Sequence, residues 1–144
     1  MIFAIFVLML IGLMVAAAGS YLPYFLDASS ALFVLLPVFL LALGASSLAI
    51  WKLALVLPFR KSPLPDRGPV RAASATLTLM GDLSLYFGLL GFLIGFVLIL
   101  VNLNDSTNLL QVLSVALLTV FYGLIFKLIF SAAAQRVQQI NPGQ

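Results

Sequence analysis

Four aspartates, Asp27, Asp66, Asp82 and Asp105, are the only side-chain carboxylates in a chain of 144 residues that has no glutamate, histidine or cysteine. Disulfides, thiolate nucleophiles, imidazole bases and the commonest zinc ligands are removed together. The aspartates are too dispersed to suggest an acid–base pair, so the sequence predicts no enzyme, no metal site and no cofactor. Asp82 stands apart because it opens a long apolar run. An ionisable group inside a membrane is a functional candidate, although at the end of a span it also reaches interfacial water or caps a neighbouring helix. On a helix, Gln111, Ser114, Thr119 and Tyr122 project within an arc of about 140°. Such groups bond to the preceding turn or across to another helix, or else line a water-accessible path.

The elements that position these groups follow from composition. Hydrophobic residues make up 64% of the chain and charged residues 8%, against about 45–50% and about 25% in soluble domains. A water-facing shell cannot be built from that supply, and the apolar runs have the length that lipid requires. A span needs about 20 apolar residues, and four runs qualify: 2–18, which is slightly short, 31–51, 83–101 and 109–130. The run at 2–18 ends in three alanines and has the look of a cleavable signal, but no basic residue precedes it, so it is read as a retained span.

The breaks between runs set the orientation. Residues 19–30 hold Pro23, Asp27, Tyr21 and Tyr24, a boundary pattern, and 102–108 form a short polar turn. Residues 58–72 carry Pro58, Pro63, Pro65 and Pro69 and are read as a non-helical connector. Lys52, Arg60, Lys61, Arg67 and Arg71 flank or fill it, while Lys127 and Arg136 close the fourth run. The positive-inside rule then places this connector and both termini in the cytoplasm. Lys127 is expected to snorkel from its span end, and Pro37 to kink the second span. The expected fold is an all-α integral membrane protein, a single membrane domain with four transmembrane helices. The net charge of +3 is thus accounted for by topology, with no Lys/Arg-rich stripe for nucleic acid.

Gly81, Ser84, Gly88, Gly91 and Gly95 recur at steps of three and four, a seam of small residues along the third span. Such a seam lets another backbone approach closely, which is how helices associate in lipid. It serves either packing within the bundle or an interface with a neighbouring subunit or partner helix.

Residues 81–95 (GDLSLYFGLLGFLIG) and 113–135 (LSVALLTVFYGLIFKLIFSAAAQ) resemble the last two membrane helices of the MotA/TolQ/ExbB family. Members show a GLLGTVIG-like run, a short polar loop and then an ALLTTLYG-like run. Gly88, Gly91, Gly95, Ala116, Leu117, Leu118, Thr119, Tyr122 and Gly123 carry the likeness. Residues 27–46 (DASSALFVLLPVFLLALGAS) are similar to the second helix of MotA, and four spans match MotA rather than the three-span ExbB.

The resemblance implies a subunit of the bacterial inner membrane. It implies a homopentameric ring around a single-span, MotB/ExbD-like partner whose membrane aspartate carries the proton or sodium ion. In that setting Thr119 and Tyr122 line the ion path, with Ser84 and Asp82 near its cytoplasmic exit. Three departures stand out. The connector 58–72 is too short for MotA's rotor-engaging cytoplasmic domain. Phe92 occupies the place of the family's threonine in the GTVIG stretch, and Val120 that of the second threonine in ALLTT. The leading expectation is a reduced MotA-like subunit of an ion-driven motor or channel. The alternatives are a structural scaffold of the same fold without coupled ion flow and an unrelated small four-span transporter.

Overall fold

A computed structural model describes residues 26–60, 67–101 and 109–140 continuously, together with 5, 7–9, 12, 13, 15, 16 and 19–21. The expected span at 2–18 is therefore described only at scattered helical positions, of which Val7 packs against the core. The polar turn at 102–108 and the stretch 61–66 lie outside the described residues.

All regular structure among the described residues is helical. Helix α1 is Ala28–Ala45, α2 is Leu48–Val56, α3 is Arg67–Val101 and α4 is Leu109–Ile140, with 3-10 turns at Gly19–Tyr21 and Leu57–Phe59. Three of these helices are long and apolar enough to cross a membrane, over Ala28–Ala45, Gly68–Val101 and Leu109–Gln139.

Helix α1 starts three residues before the expected span because Asp27 caps it. The Asp27 carboxylate accepts the N–H groups of Ser29 and Ser30, both at 3.2 Å, satisfying two donors that the first turn leaves orphaned. The helix runs unbroken through Pro37 and stops instead at Ser46. There the backbone turns extended, and both the N–H and the hydroxyl of Ser46 return to the Ala42 carbonyl, at 3.1 and 2.7 Å. Ser47 restarts the helix as the N-cap of α2, its hydroxyl accepting the N–H of Ile50. The run 31–51 is thus two helices joined at a serine pair.

The connector also differs from expectation. Helix α3 begins at Arg67, with Gly68 and Pro69 in its first turn. Proline costs little there, because first-turn N–H groups have no intrahelical acceptor to lose.

At 35 and 32 residues, α3 and α4 are about 52 and about 48 Å long. Each exceeds the roughly 30 Å of hydrocarbon by about 20 Å. They form an antiparallel hairpin, with α1 parallel to α4. The core lies toward the polar end of this hairpin, where Val38 and Ala42 of α1, Leu57, Leu77 of α3 and Val137 of α4 are essentially inaccessible. Ser74 bridges the two long helices at the same end, donating to the Ala134 carbonyl at 3.4 Å and accepting from the Gln138 amide at 2.9 Å. Over the most apolar stretches of α3 and α4 only 17% of residues are buried, so most of that surface faces outward.

Candidate functional site

Helices α3 and α4 touch along the glycine seam. A β-carbon placed on Gly88 would sit 2.9 Å from the Thr119 carbonyl oxygen and 3.0 Å from the Gly123 Cα. One on Gly123 would lie 2.7 Å from the Ser84 carbonyl oxygen. Farther along, a β-carbon on Gly91 would meet the Thr119 side chain at 2.8 Å, and one on Gly95 the Ala116 Cβ at 2.5 Å. Each step of three or four up α3 is matched by a similar step down α4, as expected for an antiparallel pair whose backbones meet at small residues. Gly81 is different: a β-carbon there finds its nearest neighbours at 3.4 Å, an ordinary contact. Gly88, Gly91 and Gly95 therefore face α4 of the same chain.

The seam sets the polar groups beside it. The Thr119 hydroxyl donates to the Ala116 carbonyl at 2.7 Å and lies 3.3 Å from that of Gly88, so it is bonded both to its own preceding turn and across the seam. Ser84, fully buried, donates back to Met80 at 2.7 Å. The Tyr122 hydroxyl accepts the Asp27 N–H at 3.1 Å, tying the start of α1 to α4, and its ring stacks on Phe126.

Asp82 forms an ion pair with Lys127 across α3 and α4, with both side chains partly exposed. Lys127, expected to snorkel from its span end, thus has a direct carboxylate partner. The pair sits about 13 Å along α3 from Gly91. The four residues expected on an ion path therefore do not converge: Thr119 borders open space, Ser84 is enclosed, Tyr122 braces α1 and Asp82 is paired.

The open space is a cleft of about 600 Å³ between the first turn of α1 and the outer halves of α3 and α4. Ser29, Ser30, Phe33, Gly91, Gln111 and Thr119 line it with other apolar residues, and none of the described lining residues is charged. Ser29 and Ser30 belong to the Asp27 cap, a signal present in the sequence as Asp-Ala-Ser-Ser but read there as a boundary and as the opening of a MotA-like second helix, not as part of a site. Asp27 itself lies just ahead of the span. The Ser30 hydroxyl that donates to it, aided by the N–H groups of Ser30 and Ser29 and opposed by partial burial, holds its carboxyl below the usual range. Phe92 stacks on Phe96 with ring centroids 6.1 Å apart, and neither it nor Val120 lines the cleft. Among the described residues no three potential metal ligands cluster.

The model of a family described as the MotA/TolQ/ExbB proton channel family matches residues 68–142. No curated protein and no solved structure matches the chain. The matched stretch takes in more than half of the sequence and both faces of the glycine seam, and on that basis the chain belongs to the MotA/TolQ/ExbB proton channel family.

Proposed function

We propose that the chain is a MotA-like subunit of an ion-driven motor or channel complex, forming a ring around a single-span partner that supplies the ion-binding aspartate. The observation that carries this reading is the cleft beside Thr119. Among the described residues that line it are hydroxyls and an amide but no carboxylate. An ion crossing beside it needs a carrier from another chain, because a bare charge in hydrocarbon is too costly without a partner group. The outward apolar surfaces of α3 and α4 suit contacts with other subunits and lipid. A ring of five, a bacterial inner-membrane location and cytoplasmic termini complete the proposal.

The experiment is proton flux into liposomes containing the chain with and without a co-expressed single-span protein bearing one membrane aspartate. Flux that needs both proteins, and that stops when that aspartate becomes asparagine, supports the reading. Flux from the chain alone, or none with any partner that co-purifies, contradicts it.

A second reading, a scaffold that holds a partner helix without ion flow, is favoured by specific residues. The Thr119 hydroxyl donates within its own chain, and Phe92 and Val120 replace two hydroxyl-bearing positions of the family pattern. Under this reading F92T/V120T produces a proton leak that the natural chain lacks; if the double variant stays tight, these residues are not what closes the path.

A further inference from the structure

Helix α2 and the turn after it carry a surface that the ion-path reading does not use. At 100° per residue, Leu48, Lys52, Val56 and Phe59 fall within about 80° of one another. All four are exposed, the three apolar ones by 64%, 55% and 58% in chain order. The opposite side, with Ala54 and Leu57, is buried in the core. An apolar strip interrupted by one lysine suits the boundary of a bilayer: the apolar side chains enter the acyl region while the ammonium reaches outward. Helix α2 begins at the serine break where α1 ends, and its buried side packs against the first turns of α3 and the last turns of α4.

The turn at the end of α2 gathers charge. Arg136 of α4 donates from Nε to the Pro58 carbonyl at 3.0 Å, and the Arg60 N–H bonds back to Leu57 at 3.0 Å. The Arg136 guanidinium and the backbone of Arg60 therefore meet at one turn, with Arg60 exposed and Arg136 half-buried. Among the described residues the only ion pair is that of Asp82 with Lys127, so neither arginine is paired with a described carboxylate. Guanidinium is the side chain best matched to phosphate, because it offers two parallel N–H donors.

We infer that this turn binds the phosphate headgroup of an anionic phospholipid, with Arg60 and Arg136 as its ligands and the Leu48–Phe59 strip resting on the acyl chains. The charge complementarity and the apolar strip arise from different residues and favour the same occupant. An acidic protein segment would match the arginines but would leave Leu48, Val56 and Phe59 in water.

Native mass spectrometry of the full chain in mild detergent tests this, with titration by phosphatidylglycerol and by phosphatidylcholine of the same acyl chains. Phosphatidylglycerol is expected to stay bound at lower concentration, and Arg60→Gln to weaken that preference about fivefold, the effect of one basic residue at an anionic surface. Arg136→Gln is expected to do the same, and Arg136→Lys to recover only part, because lysine is a point charge without the paired donors. Arg136→Gln also loses the bond to Pro58, so Arg60→Gln, whose side chain has no bond within the described chain, is the decisive variant; its melting temperature should be unchanged. Equal retention of the two lipids, or an unaltered preference in Arg60→Gln, overturns the proposal. So does an acidic protein that co-purifies with the natural chain and not with Arg60→Gln when the lipids are not discriminated.

Discussion

At the scale of single residues, the seam separates two kinds of glycine that the sequence presents alike. Gly88 and Gly81 both sit on the face that meets α4, but only Gly88 meets backbone at under 3 Å. Gly88→Ala should therefore force the helices apart at a cost of about 1–3 kcal/mol, while Gly81→Ala stays within about 0.5 kcal/mol of the natural chain. Thermal melting of both variants in one detergent measures the difference. Asp27 offers a pH test. Its carboxyl is held below the ordinary value of 3.8, so its capping contribution is fully present above that value and is lost as pH falls through the lower folded value. Asp27→Asn should accordingly flatten the acid side of the melting-temperature profile and leave its shape near neutral pH unchanged. The spacing of the seam was visible in the sequence, but which glycines are obligatory was not, because that depends on which atoms of α4 stand opposite.

At the scale of elements, the long apolar helices were legible because a continuous apolar run has few other structures open to it in lipid. Three features were not. The break at Ser46 and Ser47 lies within an apolar run, and it is made by two short-range hydrogen bonds to Ala42 that hydropathy does not register. The start of α3 was obscured because Pro69 reads as a loop residue when its position in the helix is unknown. The partnership of Asp82 with Lys127 depends on the register of two helices joined by a turn, and neither residue alone reveals it. Two predictions belong here. Ser47→Ala removes the α2 cap and should cost about 1 kcal/mol, read as a lower melting temperature. For the ion pair, Lys127→Met alone leaves the Asp82 charge unanswered, whereas Asp82→Asn with Lys127→Met leaves none. The double variant should melt above the single one, with a coupling of about 1 kcal/mol or less because both side chains are partly exposed. Equal melting of the two variants would show that the pair adds nothing.

At the scale of the whole molecule, the packed core and the outward surface divide the chain. The core lies toward the polar end, where α1, α2, α3 and α4 meet. The other half of the α3–α4 hairpin carries its apolar side chains outward around a cleft whose described lining residues are uncharged. The apolar side chains turned outward there suit contacts with lipid and with other subunits. Membership of a proton channel family, with no carboxylate among the described residues of the cleft, supports the central proposal, that this chain works as one of several around a partner that supplies the ion carrier. The direct test is native mass spectrometry of the natural chain purified in mild detergent. The account predicts a five-chain mass, alone or with a small single-span companion. A monomer or dimer that persists across several mild detergents would contradict it.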